Sequence, residues 1–161
     1  MTFFAVIRHG PTRWSEDGLL QGRTDIPLSD AGRRLVKSWR IPDQLADFQW
    51  ISSPLKRAVE TATLISDRDV GLDPRLVEMN WAVWEGRRLV DLRAELGENM
   101  KHLEGLGLDF CPPGGESPRD VQNRLGGVLL DCCRAGRPTV AVCHKGIIRA
   151  LYASATNWDM L

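Results

Sequence analysis

The chain has 161 residues, enough for one domain around a single core, and its 43 % hydrophobic content is ordinary for a soluble globular protein. Its 21 basic and 21 acidic side chains cancel, which argues against a nucleic-acid binder relying on excess positive charge but leaves room for a small anionic substrate held by a local cluster. Residues 1–10 lack a basic n-region, and their apolar run is too short for an h-region or a membrane span. A cytoplasmic protein is therefore expected, with Cys111, Cys132, Cys133 and Cys143 as reduced thiols.

In chain order, Phe3-Phe4-Ala5-Val6-Ile7 is an apolar run stopping at Arg8-His9-Gly10, and residues 3–8 read as a first buried strand. Residues 10–28, rich in Gly, Pro, Thr and Asp, read as one long loop of the kind that often carries function. Ser29 is an N-cap for a helix over 30–40. Trp50-Ile51-Ser52 is a short second strand, and Pro54 suits the first turn of a helix running to about Ser66, with Ala58, Ala62 and Ile65 on one face. Val70-Gly71-Leu72 reads as a third strand.

Leu89, Leu92 and Leu96 fall at helical spacing within 88–104, and a Gly/Pro loop follows over 105–116. Ser117 caps the next helix, with Pro118 at its first position and Val121, Leu125, Val128 and Leu129 on its apolar side. Cys132 and Cys133 are adjacent there, where a bridge between them would be strained, so a structural role is expected of both. The last strand spans 138–143 and a helix starts at about Ile147. No repeat, low-complexity tract or linker interrupts the chain, so residues 1–161 form a single domain in this reading. Strands alternating with helices predict an α/β fold, a three-layer α/β/α sandwich with a mainly parallel central sheet.

Two strands thus end on a histidine, His9 and His144, at the carboxyl edge where open α/β sheets place ligands. Phosphoryl transfer from a monoester needs a cationic cradle, an in-line nucleophile and a proton for the leaving oxygen. Arg8 and Arg57 are forked donors suited to phosphate oxygens, and Arg57 is expected one turn into its helix, leaning back over the sheet edge. His9 is the candidate nucleophile, because a neutral imidazole attacks when its second nitrogen donates to a backbone carbonyl. His144 is a further donor, and the backbone N–H groups of Lys145 and Gly146 near a helix start favour an anion. Glu78 lies among Met79, Trp81 and Trp84, apolar surroundings that hold a carboxyl protonated, and is the candidate acid. Lys145 and Arg13 are candidate readers of a second anionic group.

These blocks together resemble the histidine phosphatase superfamily, the phosphoglycerate mutase-like proteins. The matching segments are Arg8-His9-Gly10-Pro11-Thr12, Gln21-Gly22, Asp25-Ile26-Pro27-Leu28-Ser29 with Gly32, Ser52-Ser53-Pro54-Leu55-Lys56-Arg57-Ala58 with Glu60-Thr61-Ala62, Glu78 with Trp84-Glu85-Gly86, Gly115-Glu116-Ser117, and His144. They stand in the family's order and span residues 3 to about 151. The resemblance implies a phosphoglycerate mutase-like fold and a phosphatase that phosphorylates His9 and then hydrolyses the phosphohistidine. It further implies that Arg8, Arg57 and His144 form the phosphate pocket, with Glu78 as acid and base and Ser15, Gln21 and Gly22 on the substrate side. No metal or other cofactor is implied, and the sequence has neither a His-Glu-x-x-His run nor a cysteine pair at zinc spacing.

The sequence departs from the family pattern in three places. Ser15 stands where the family commonly has Asn, Ala82 where it has Gly, and the chain is short at the C-terminus relative to many members. Three alternatives stand beside hydrolysis. One is a mutase, for which the short span from Glu78 to Gly115 leaves little room for a retaining cover. Another is a cysteine-dependent phosphatase on Cys143-His144-Lys145-Gly146-Ile147-Ile148-Arg149. The third is a non-catalytic phosphoester-binding domain. The expected partner is a small phosphorylated substrate, with no nucleic acid and no membrane, and an uncovered sheet edge leaves a homodimer open.

Overall fold

A computed structural model describes residues 2–161. Four strands, β1 (Phe4–Arg8), β2 (Gln49–Ser52), β3 (Gly71–Leu72) and β4 (Thr139–Cys143), form one sheet in the order β1-β4-β2-β3. Every pairing is parallel, and the last strand lies between the first two. Its sequence, Thr-Val-Ala-Val-Cys, has no charged residue and is buried throughout, as a strand covered on both faces requires.

The helices are α1 (Arg13–Glu16), α2 (Asp30–Lys37), α3 (Lys56–Ile65), α4 (Leu89–Leu96), α5 (Glu98–Glu104), α6 (Pro118–Ala135) and α7 (Lys145–Thr156). Side chains alternate across the sheet and sort these helices into two layers. Ala141 and Cys143 face α6 and α7, where Val121, Leu125, Val128, Ile147 and Ala150 complete one core. Val140 and Val142 face α3, where Ala58 and Ala62 meet Trp50 in a second core. Each fully buried branched side chain here contributes roughly 1.5–3 kcal/mol of transfer free energy. The three-layer α/β/α sandwich expected from the sequence is therefore present. A third cluster, Trp84, Leu92 and Met100, lies beneath α4 and α5.

Several boundaries differ from the sequence reading, for local reasons. The stretch 10–28 is not all loop: Thr12 and Ser15 form a reciprocal capping box that starts the one-turn α1. The helix expected over 88–104 breaks at Gly97, whose φ of +51° only glycine adopts readily. Helix α3 starts at Lys56 rather than Pro54, and its first N–H is satisfied from outside, by Asp25 Oδ1 at 2.7 Å from Lys56 N. Helix α7 starts at Lys145, two residues earlier than expected. The caps at Ser29 and Ser117 are as the sequence predicts: Ser29 accepts from Gly32 N, and Ser117 shares a capping box with Asp120. Among the described residues no helix is long and apolar enough to cross a membrane.

Candidate active site

The parallel ladder brings three strand ends to one edge. Arg8 lies opposite Cys143, the His9 N–H donates to the Cys143 carbonyl at 3.0 Å, and the Ser53 N–H donates to the Val142 carbonyl at 2.9 Å. The residues after β1, β2 and β4 therefore sit side by side. A cavity of about 270 Å³ opens there, and its walls include Arg8, His9, Ser15, Gln21, Gly22, Arg57, Glu78 and Lys145. His144 lies directly behind it, fully buried, with its ring centroid 5.1 Å from that of His9 and the two planes at 55°. Of the site residues expected from the sequence, Arg8, His9, Ser15, Gln21, Gly22, Arg57, Glu78, His144 and Lys145 lie in or against this cavity, and Arg13 does not.

His9 Nδ1 lies 2.7 Å from the Gly10 carbonyl oxygen. A carbonyl only accepts, so Nδ1 carries the ring proton and Nε2 keeps its lone pair. Burial, and then the positive charges of Arg57 and Arg8, outweigh that hydrogen bond and lower the imidazole pKa to about 3, so the ring is neutral at ordinary pH. Gly10 is itself fixed: its N–H donates to Thr61 Oγ1 at 2.9 Å, and Thr61 Oγ1 donates to the Arg57 carbonyl at 2.7 Å. A Cβ at Gly10 would lie 2.3 Å from Val36 Cγ2, so no larger residue fits this turn without displacing α2.

His144 is held from the opposite side. Its Nε2 lies 2.8 Å from Ser53 Oγ, which already accepts from the Leu55 N–H at 3.3 Å. The Ser53 hydroxyl proton has no other hydrogen-bond acceptor among the described residues, so it points to Nε2. Burial, then Arg57 and His9, hold His144 well below the usual histidine pKa and keep it neutral. Its single proton therefore sits on Nδ1, which is buried without a partner among the described residues. An unsatisfied buried donor next to the nucleophile is an unmet demand for an acceptor.

Arg57 is fully buried at the start of α3, in the first turn rather than one turn in. Its Nη1 and Nη2 donate to the carbonyls of Thr24 and Gly22 at 2.9 and 2.7 Å, while Nε has no partner among the described residues. The loop that supplies those carbonyls is organised by Glu85. Its carboxylate accepts from Arg23 N and Thr24 N at 2.8 Å each, from the Thr24 hydroxyl, and from Trp81 N at 3.3 Å. Gly22 has a φ of +52°, and a Cβ there would lie 1.9 Å from Glu85 Oε1, so glycine is required on both counts. Glu116 ties the same region to the body through Arg23, Asn80 N and Arg124.

Glu78 is buried, and burial raises its carboxyl pKa against the opposing pull of Gly146 N, Met79 N and Arg57. Its Oε1 accepts from Met79 N at 2.8 Å and its Oε2 from Gly146 N at 3.1 Å. This corrects one expectation: the Gly146 N–H at the start of α7 is not left for a phosphate, because Glu78 takes it. Helix α7 has no side-chain cap of its own, and Glu78 serves instead. Ser15 differs as well. It lines the cavity, but its hydroxyl donates to the Thr12 carbonyl at 2.8 Å and also accepts from Thr12 N. Gln21 Oε1 accepts from the Thr12 hydroxyl at 2.8 Å, and its amide N–H groups have no hydrogen-bond partner among the described residues. Arg13 is exposed and paired with Asp17 at 3.0 Å, away from the cavity walls.

Arg8 and Lys145 form no ion pair among the described residues. Among the described residues the one carboxyl in the cavity wall is Glu78, which is shifted toward its neutral form, so the wall's cationic and N–H donors suit a dianion. No group of three or more His, Cys, Asp or Glu among the described residues is placed to hold a metal ion. Cys143 is fully buried, and burial pushes its thiol up to about 12, far from thiolate chemistry.

The model of the histidine phosphatase superfamily (branch 1) matches residues 4–161. The chain belongs to the histidine phosphatase superfamily. Among its relatives, the glucosyl-3-phosphoglycerate phosphatase of Mycolicibacterium vanbaalenii is 32 % identical, over 97 % of this chain and 77 % of that protein. A probable phosphoglycerate mutase of Cronobacter sakazakii is 34 % identical, over 79 % of this chain and 61 % of its own length. Among solved structures, a mycobacterial glucosyl-3-phosphoglycerate phosphatase complexed with VO3 superposes with a TM-score of 0.81 at 27 % identity, covering 96 % of this chain and 82 % of that one. A phosphoserine phosphatase from Entamoeba histolytica, in complex with 3-phosphoglyceric acid, also gives 0.81, at 31 % identity over 99 % of this chain and 82 % of that one.

Within this superfamily member, three residues that shape the site carried no assigned role in the sequence reading. Ser53 stood in the sequence only as a member of the family segment running from Ser52 to Ala58. Thr61 lies one helical turn after Arg57, a spacing that in hindsight signals a shared face. Glu85 stood only within the Trp84-Glu85-Gly86 family segment, and its role in the 22–24 loop was not legible because Arg23 and Thr24 lie 62 and 61 residues away.

Proposed function

We propose that residues 1–161 act as one phosphatase domain that hydrolyses small phosphomonoesters by double displacement, without a metal or other cofactor. The observation that carries this reading is the bond from His9 Nδ1 to the Gly10 carbonyl, which leaves Nε2 as an unprotonated nitrogen in a cationic cavity. In the first step Nε2 attacks phosphorus, the bond from phosphorus to the ester oxygen breaks, and the Glu78 carboxyl proton moves to that oxygen. The free alcohol departs. The Nδ1–H bond to Gly10 then stabilises positive charge on the phosphorylated ring.

In the second step the Glu78 carboxylate takes a proton from water. The water oxygen bonds to phosphorus, the phosphorus–nitrogen bond breaks, and neutral His9 returns with inorganic phosphate released. Arg8, Arg57 Nε and His144 Nδ1–H hold the transferring oxygens. The Gln21 amide, the Gly22 turn, Ser15 and Lys145 form the substrate side. A general acid at a poor leaving group is worth about 10²–10⁴ in rate, and burial of Glu78 keeps its proton available for that purpose.

Rapid quenching with a ³²P-labelled ester tests this reading. An acid-labile, base-stable phosphoramidate on His9 is expected, absent in His9→Ala. Label retained in His9→Ala, or isomerisation of phosphoglycerate exceeding phosphate release, would overturn it. Four free cysteines suit a reducing compartment, so the cytoplasm belongs to the same proposal. So does a homodimer through the β1 edge, beside which Phe3 is exposed. Light scattering reads the latter directly.

A further inference from the structure

A second hollow, of about 370 Å³, adjoins the catalytic cavity, and Trp81, Leu89, Gly146 and Arg149 wall both. The rest of it is mainly apolar: Met79, Phe110, Met160 and Leu161. The rings of Trp81 and Phe110 meet with centroids 5.7 Å apart at 58° and make one continuous aromatic side. The two other charged walls, Arg93 and Glu104, pair with each other at 2.8 Å and so offer no uncompensated charge. Arg149 stands at the seam of the two compartments, its guanidinium carbon 5.3 Å from the Trp158 ring centroid. The far side is closed by the segment 159–161, which presses on the Gly107 turn so closely that a Cβ at Gly107 would lie 2.3 Å from the Asp159 carbonyl oxygen.

We propose that this hollow receives the leaving group, and that the preferred substrates are phosphate monoesters of long or bulky apolar alcohols. The inference rests on the phosphatase reading above and gives that reading a substrate class. The phosphate sits at His9, and the hydrocarbon body passes Trp81 and Leu89 to rest against Phe110 and Leu161. A polyhydroxylated leaving group would give up hydrogen bonds to water where it meets the apolar walls Met79, Phe110 and Leu161. An apolar one gains free energy over the same path, in proportion to the surface it buries. Arg149 adds a cation where the chain leaves the phosphate compartment, and so favours the dianionic end facing His9.

The test is a series of n-alkyl phosphates from ethyl to octyl, whose leaving alkoxides have nearly equal basicity, with p-nitrophenyl phosphate as the reference. The value of kcat/KM is expected to rise by up to about fourfold per methylene until the hollow is filled. Leu161→Asp, at an exposed wall position, is expected to cut the octyl-to-ethyl ratio of kcat/KM by about tenfold or more, and Phe110→Ala to reduce the same ratio. A flat or falling series, with ethyl and p-nitrophenyl phosphate still hydrolysed, overturns the hollow as a leaving-group site and leaves the phosphatase reading standing. A series that is flat in the wild type but steep in Leu161→Gly assigns the hollow to the chain's own segment and likewise overturns it. No hydrolysis of any ester overturns both.

Discussion

The carboxyl of Glu78 and the backbone of Gly146 are mutually fitted: Oε2 accepts the Gly146 N–H at 3.1 Å, and a Cβ on Gly146 would lie 2.3 Å from Oε1. The first turn of α7 thus positions the acid, and a methyl group at residue 146 must displace it. Gly146→Ala is expected to lower kcat for alkyl phosphates by about 10²-fold, the usual cost of misplacing a reacting group by about 1 Å. The drop for p-nitrophenyl phosphate is expected to be much smaller, since that leaving group departs unprotonated. Equal losses on both substrates would mean that Gly146 does not act through Glu78.

Glu78→Gln removes the proton while keeping the shape. Hydrolysis of alkyl phosphates is expected to fall by about 10²–10⁴. Burial raises the Glu78 pKa, so in the wild type the protonated fraction is lost as pH rises through that raised value, and kcat/KM for poor leaving groups falls on the alkaline side. That alkaline limb is expected to vanish in Glu78→Gln and to be weak with p-nitrophenyl phosphate even in the wild type. A limb unchanged by the substitution would point to a different acid.

Ser53 is a positioning residue whose hydroxyl sets the tautomer of His144. In Ser53→Ala the Nε2 lone pair loses its donor, and the ring is free to move its proton from Nδ1. Nitrogen-15 spectra of His144 are expected to show Nδ1–H in the wild type and a shift toward Nε2–H in the variant. A loss of kcat of about tenfold or more should accompany it, as for one donor removed from a preorganised anion site. Lower activity with an unchanged tautomer would assign Ser53 a packing role only.

Acid stability follows from His9. Its folded pKa of about 3 lies below the ordinary 6.5, so between those values the unfolded chain binds a proton that the folded chain does not. The His9 contribution to stability is therefore complete above pH 6.5 and declines as pH falls toward 3. Within that window His9→Asn is expected to reduce the slope of unfolding free energy against pH by up to about 1.4 kcal/mol per pH unit. Urea titrations of both proteins across the window measure this difference. Parallel slopes would show that His9 protonates in the folded state as readily as in the unfolded chain.

What could be read from the sequence was whatever is encoded locally. The runs before His9 and His144 are short and apolar, and both histidines do sit at parallel strand ends. The caps at Ser29 and Ser117 depend on residues three positions away, within the same turn. The break at Gly97 was not legible, because an isolated glycine in a helical pattern is often tolerated and only its backbone angles reveal the kink. The support of the site was hidden for another reason: Ser53 meets His144 across 91 residues and Gly146 meets Glu78 across 68. Such pairings follow from strand order, which periodicity does not encode.

The central place of β4 has a consequence for how the molecule is assembled. Strands β1 and β2 are not neighbours in the sheet; β1 finds its strand partner, and β2 its second one beside β3, only when residues 139–143 slide between them. On a ribosome, β1 must wait unpaired, and β2 paired on its β3 side alone, for most of the chain to be synthesised. Long-range closure of this kind slows folding. In refolding, recovery of turnover should therefore coincide with the final, rate-limiting phase and have no early component.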